Sequence, residues 1–374
     1  MIYIVFLSLF MFASLLDFSK KQLSQFVFFS LFFITLIFTG LRYYTGNDWS
    51  GYISYFNNVD FSDNKYEFGY KILNLICKTL FNNYYVVQFF ASFLLCFSIF
   101  RFYKKNSEYK FLSLLLFIAA YFSSLFMSQV RQSIAVSILI LGMKYIYNRD
   151  LKRYLIVLLF AVLFHSSAIV ALPIYFLFVS TKLIFKIFLL LLSVFFLCNT
   201  NLIGDCLAFF VGIIPGRIGN ILENYVLSDL FNLKTELGSG TYFYAKFFLV
   251  TFIIIFYKPK SVTDHFVINC MLISCLITSM ALGFSYISRL ECYFGFVSIL
   301  GWLKVLDISW VKKNKSIFFI VYLLIIIFFS IPYISARTAT GKNRWGQPMQ
   351  YTYIPYYNVF FHPENAEYRK DWCE

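Results

Sequence analysis

Residues 154–180 read YLIVLLFAVLFHSSAIVALPIYFLFVS, without a single Asp, Glu, Lys or Arg. A helix crossing the hydrocarbon core of a bilayer takes about 20 residues, with a range of roughly 17 to 25. The run is too long for one untilted helix and somewhat short for two. His165, Ser166 and Ser167 interrupt it near its middle, and Pro173 interrupts it again. The number of times it crosses fixes the sidedness of everything that follows, and charge decides that number. With Lys20 and Lys21 in the cytoplasm, five basic clusters can be made to fall on the same side. They are Arg101-Lys104-Lys105-Lys110, Arg149-Lys152-Arg153, Lys182-Lys186, Lys258-Lys260 and Lys304-Lys312-Lys313-Lys315. This holds only if 154–180 passes twice; a single pass turns later clusters outward, against the positive-inside rule. The segment therefore reads as two short helices meeting near His165.

Working outward, further spans are expected at 2–18, 23–41, 84–100, 111–128, 130–148, 183–199, 243–257, 264–283, 285–303 and 316–335. The expected fold is all-α: a polytopic membrane protein of about twelve spans, forming one transmembrane domain over 1–374 with both termini outside. Composition agrees. The chain is 60% hydrophobic and only 13% charged, with 50 Phe and 29 Tyr, whereas a soluble domain carries about 25% charged residues to cover its outside. A cytosolic enzyme, a secreted domain and a disordered scaffold are excluded. The net charge of +14 sits in short clusters between apolar runs, which is the pattern of topology signals and not of a nucleic-acid-binding face. The eight cysteines show no CxxC and no metal spacing; most lie in apolar runs, where Cys behaves as a small hydrophobe. Neither a disulfide nor a zinc site is expected. The first apolar run reaches Asp17-Phe18-Ser19-Lys20-Lys21 without a small-residue cleavage site, so it reads as a first span and not a removed signal peptide.

This topology gathers polarity on one side. The outside receives loops 42–67 and 200–242 and the tail 336–374, with 12 of the 18 acidic residues, and Glu291 at the outer end of a span is the thirteenth on that side (all but Asp17, Glu108, Asp150, Asp264 and Asp307). The inner loops are short and basic, which leaves no room for a nucleotide site. Residues 68–82 are amphipathic and are expected to lie in the outer interface. Motifs for nucleotide phosphates, a serine nucleophile or a zinc protease are absent, as is a DxD-type carboxylate pair for Mg²⁺. No cofactor and no metal are implied.

Polar groups near membrane depth are costly and usually face a cavity or a partner. Arg42, with Asp48, Trp49 and Tyr52, stands at the outer end of the second span, followed by Glu67 and Tyr70. Arg offers a planar fork for phosphate, and the aromatic rings suit sugar stacking; an interfacial aromatic belt with a snorkelling Arg is the alternative. Arg131 and Gln132 open a span whose dipole favours an anion, or else they snorkel and cap it. His165 at the hairpin tip serves as a base or hydrogen-bond donor, or as a satisfied core residue. Tyr286, Arg289 and Tyr293 share one helical face, while Glu291 is about 200° from Arg289 and cannot pair with it. Arg289 then needs a carboxylate from elsewhere or a bound phosphate. Arg217, among glycines in an outer loop, is a further candidate.

Four of these segments in order resemble the EpsG/Wzy family of polysaccharide polymerases. They are Arg42…Gly46-Asn47-Asp48…Tyr52, Glu67-Phe68-Gly69-Tyr70, Arg131-Gln132-Ser133-Ile134-Ala135 and Arg153-Tyr154…Phe164-His165-Ser166-Ser167-Ala168. The resemblance spans roughly 40–175 and continues through Arg289 to Tyr351, Tyr353, Pro355, Tyr356 and Tyr357. It implies a metal-independent, GT-C-like glycosyltransferase of the bacterial inner membrane. Such an enzyme moves a growing glycan from undecaprenyl pyrophosphate to the non-reducing end of a second lipid-linked repeat unit, on the outer face, with a chain-length regulator protein as a further partner. His165 and Asp48 are then the catalytic candidates. Arg42, Tyr52, Glu67, Arg131, Gln132, Arg217, Tyr286 and Arg289 are the substrate-binding ones. A lipid-linked oligosaccharide flippase and an O-antigen ligase are the alternatives.

Overall fold

The computed structural model describes residues 2–18, 21–62, 65–200, 202, 205–206, 209, 237–282, 285–338 and 349–361. These residues are helical with no extended sheet, and the chain packs as two compact units. Unit 1 comprises Met1–Leu172 with Leu323–Glu374, and unit 2 comprises Pro173–Tyr322.

Unit 1 contains α1 (Ile2–Ser14), α2 (Lys21–Gly40), α3 (Trp49–Asn57), α4 (Phe68–Phe81), α5 (Tyr84–Asn106), α6 (Lys110–Tyr121), α7 (Val130–Tyr147) and α8 (Leu151–Phe164). Helix α6 is apolar all round and lies at the centre, with Phe111, Leu112 and Leu114–Ile118 fully buried. A helix without a polar face can only be buried. Its first N–H groups, which have no partner inside the helix, are taken by Asp17, whose carboxylate accepts from Phe111 and Leu112 at 3.1 and 3.0 Å. At its other end α6 loosens into a π turn (Phe122–Phe126) and breaks at Met127–Gln129 before α7. Asn83 caps α5 through the Tyr85 N–H, and Asp150 caps α8 through the Arg153 N–H. Residues 68–82, expected to be amphipathic, form α4. It packs on α5 and α8 and leaves Ile72, Leu75, Ile76 and Leu80 exposed.

The reversal expected at His165 is present, but its second arm is not the expected helix. After α8, residues Ser166–Ala171 form a 3₁₀ turn that runs back along α8, so that the Tyr154 hydroxyl donates to the Ala171 carbonyl at 2.6 Å. Pro173 follows, and its missing N–H and ring work against a continuous helix; only the short α9 (Ile174–Leu177) comes next.

Unit 2 holds α9, α10 (Leu183–Cys198), α11 (Leu237–Phe256), α12 (Val262–Ala281), α13 (Cys292–Trp302) and α14 (Ser309–Lys313). Helix α12 is the axis, packed by α10, α11 and α13. Its fully buried Asn269 donates to the carbonyls of Leu177 and Val179 and accepts from the Thr181 hydroxyl, which pins the α9–α10 connection. The lead-in to α13, Ser285–Glu291, is 3₁₀ and not α. The face expected for Tyr286, Arg289 and Tyr293 is thereby broken: Tyr293 is fully buried and Arg289 is exposed. The last helix, α15 (Lys315–Thr338), begins in unit 2 and ends in unit 1.

Among the described residues, α5 and α12 have the length and hydropathy of a membrane span, and seven shorter apolar segments accompany them. Large apolar side chains such as Phe12, Phe26, Ile184 and Phe248 are more than two-thirds exposed. Such surfaces belong in lipid, not in water.

Candidate functional site

Three helix ends meet in unit 1. Glu67 precedes α4 in an extended conformation and makes no capping bond to its own helix. Its carboxylate instead reaches outward. One oxygen accepts from Arg131 Nη1 at 2.6 Å, near the start of α7. The other accepts the Ser166 backbone N–H at 3.0 Å and lies 3.2 Å from His165 Nδ1, where α8 ends. Gly69 makes the approach possible, because a Cβ there would stand 2.8 Å from the Leu163 carbonyl oxygen of α8. A cation at a helix N-terminus opposes the helix dipole, and Glu67 neutralises that cation in place.

Burial works to raise the Glu67 pKa. The hydrogen bond to His165, the Arg131 charge and the Ser166 N–H outweigh it and hold the carboxyl at about 2. Glu67 is therefore an acceptor, and a neutral His165 meets it by donating from Nδ1. The Nε2 atom of a neutral imidazole is then left with its lone pair, the form a general base needs.

Beneath this cluster lies an aromatic floor from α3, α4 and the loop between them. The Tyr55 and Tyr66 rings stand 4.1 Å apart, Tyr52 and Tyr70 stand 5.6 Å apart, and the Arg131 guanidinium lies 4.9 Å above Tyr66 and 5.9 Å from Tyr52. Burial first, and then the Asp48 charge, push the Tyr52 phenol up to about 12, so it stays a neutral hydroxyl. Arg131 Nε, the Tyr70 and Tyr84 hydroxyls and the Asn74 side-chain oxygen are buried without a hydrogen-bond partner. Buried polar atoms are nearly always satisfied, so these unmet donors and acceptors set the region beneath the cluster apart from the apolar packing around it.

The other expected residues fall differently. Arg42, expected to clamp phosphate, is 3% exposed and is occupied by the protein. Its Nε donates to the Met127 carbonyl at 3.0 Å and its Nη1 to the Thr39 carbonyl. It braces the end of α2 against the α6–α7 break. Gly46, at φ +107°, passes so close to the Met127 carbonyl that no side chain fits. Asp48 stands half-buried just before α3, and Gln132 is buried beside Arg131. Arg289 belongs to unit 2, the Tyr286 side chain and Arg217 lie outside the described residues, and Glu291 holds Lys246 and Ser274, each at 2.7 Å.

Sequence reasoning passed over Tyr66 and the docking of the tail. The Tyr43 N–H donates to the Tyr357 carbonyl, the Val359 N–H to the Leu41 carbonyl and the Gly46 N–H to the Thr352 carbonyl, so 349–361 lies along the loop after α2. The tyrosine spacing 52, 55, 66, 70 was a usable signal for the floor. No local signal pairs residues some 300 positions apart.

Comparison with curated proteins and with solved structures gives no match in either case. The model of the EpsG family matches residues 25–358, which takes in every element of the site from Arg42 to Tyr357. This apolar, all-helical chain, with its Glu67–Arg131–His165 cluster, belongs to the EpsG family, membrane proteins associated with exopolysaccharide biosynthesis.

Proposed function

We propose that this chain is a polysaccharide polymerase that joins lipid-linked glycans on the outer face of the bacterial inner membrane. The observation that carries the reading is Glu67, held between the titratable His165 and the cation Arg131 above a floor of tyrosines. In the reaction, an acceptor sugar hydroxyl attacks the anomeric carbon of a glycan borne on undecaprenyl pyrophosphate. The new glycosidic C–O bond forms as the bond to the pyrophosphate oxygen breaks, and the hydroxyl proton passes to His165 Nε2. Glu67 positions the imidazole and stabilises its positive charge. Arg131, with Nε unused, meets the charge growing on the departing pyrophosphate, the kind of interaction that lowers a barrier and does not merely tighten binding. Gln132 and Tyr52 are the remaining candidates for sugar contact. Asp48 is the second candidate base.

In this reading the chain crosses the membrane about twelve times, in the manner of GT-C-like enzymes, with the Glu67 end outside and the basic helix ends inside. Donor, acceptor and a chain-length regulator protein are the partners. Arg131 is the cation set against the pyrophosphate in this reading, and no divalent ion is invoked. Purified protein given only lipid-linked repeat units is expected to build long chains in chelator. Failure there, restored by Mg²⁺ or Mn²⁺, refutes the mechanism. Deletion of the gene should leave lipopolysaccharide with core plus one repeat. Loss of all attached repeat would indicate a ligase, and lipid-linked units trapped on the inner face would indicate a flippase.

A further inference from the structure

At the end of unit 1 remote from Glu67, α2 and α5 line a groove of about 560 Å³, within the range of small-molecule sites. Its apolar lining is wholly aromatic: Phe28, Phe29, Phe32 and Phe33 from α2, Phe97 and Phe100 from α5. Phe28 and Phe100 form the buried floor, 5.2 Å apart and edge to face, while Phe29, Phe33 and Phe97 stand as exposed walls. The mouth is basic. Arg101, Lys104 and Lys105 line it, with Lys104 Nζ 5.1 Å from the Phe29 ring and Arg101 6.0 Å from Phe97. All three are exposed, and among the described residues no carboxylate lies within ion-pair distance of them. A second groove of about 290 Å³ on the opposite flank of α5 shares Arg101 and Lys105 and adds Lys144.

Cations in the last turn of a helix favour its dipole, which would explain one or two of them. Neither the dipole nor a cytoplasmic placement explains why three cations without a carboxylate partner rim an aromatic trough, with Arg101 and Lys104 placed against its rings. We propose that this groove is a binding site for an anionic glycerophospholipid, with an acyl chain lying along the phenylalanines and the phosphate held by Arg101, Lys104 and Lys105. Basic pockets between membrane helices bind lipid headgroups of this kind. The site is separate from the Glu67 cluster, and the proposal does not depend on the reaction assigned there.

The test uses the full-length protein, purified and delipidated in a neutral detergent, with native mass spectrometry reading retained lipid. Phosphatidylglycerol is compared with phosphatidylethanolamine of the same chains. Each basic side chain near a phosphate contributes about fivefold, so phosphatidylglycerol should be held on the order of a hundredfold more tightly. The preference should vanish in Arg101→Gln/Lys104→Gln/Lys105→Gln and fall about fivefold in Lys104→Gln alone, a variant mild enough to fold if the triple one does not. Lys152→Gln/Arg153→Gln removes two cations from the same end but outside the groove, and should keep the preference. Equal retention of the two lipids overturns the proposal. So does an equal loss in the Lys152/Arg153 variant, or displacement of phosphatidylglycerol by an equimolar polyprenyl phosphate.

Discussion

Glu67 and Glu291 each hold a cation at hydrogen-bond distance, Arg131 at 2.6 Å in unit 1 and Lys246 at 2.7 Å in unit 2. They differ in what else they touch. Both donors to Glu291, the Lys246 ammonium and the Ser274 hydroxyl, converge on one oxygen, and Lys246 is 5% exposed. That group ties α11, α12 and the start of α13 together. Glu67 divides its oxygens between a guanidinium and an imidazole whose other nitrogen is unused, and Arg131 is 19% exposed. A carboxylate whose bonds all lock helices is a strut. One that meets an imidazole and leaves the Arg131 Nε without a partner is the arrangement the proposed reaction uses.

The sharpest way to break this contrast is to remove the ring. His165→Ala should lower polymerisation by about 10²–10⁴ while leaving the protein inserted at normal level, as read by chain length and immunoblot. Near-normal polymer would return the base to Asp48. On the other side, Lys246→Ala strands a buried carboxylate and should destabilise the protein by about 3–5 kcal/mol, seen as a lower unfolding temperature in detergent. Lys246→Met with Glu291→Gln should recover most of that loss; if activity fails to return with stability, Glu291 is more than a strut.

Arg131→Lys keeps charge but loses the fork, so extension should fall about tenfold to a hundredfold, the worth of a charge-assisted contact. A structural arginine would tolerate Lys, and wild-type chain lengths would show Arg131 to be one. The smallest effect is in pH. The Glu67 carboxyl sits at about 2 in the folded protein against an ordinary 4.5, so the folded state binds fewer protons through that window. Its stabilisation is complete above about pH 4.5 and is lost as pH falls toward 2. The unfolding temperature should vary less with pH across that range in Glu67→Gln, and above it the variant should unfold at a lower temperature by an amount that no longer changes with pH.

Much of this was legible in the residues. Apolar runs of the right length gave the helices, including α4 from its amphipathic spacing, and His165 with its serines marked the chain reversal. The costliness of polar groups in apolar sequence brought Glu67, Arg131 and His165 forward individually. It brought Arg42 forward equally, because an arginine spent on backbone carbonyls and one with donors to spare look the same in sequence. Lys246 was overlooked inside an apolar run, since its partner lies 45 residues away.

The sequence by itself determined the helical class and a surface too apolar for water, because these follow from composition and local periodicity summed along the chain. Only the tertiary structure decided that Glu67 meets partners 64 and 98 residues distant, and that the aromatic rings of α2 and α5 open into a basic-rimmed groove. Those contacts depend on which helix faces touch, and that is set by side-chain packing across the whole unit, such as the absent Cβ of Gly69 that lets α4 close on α8.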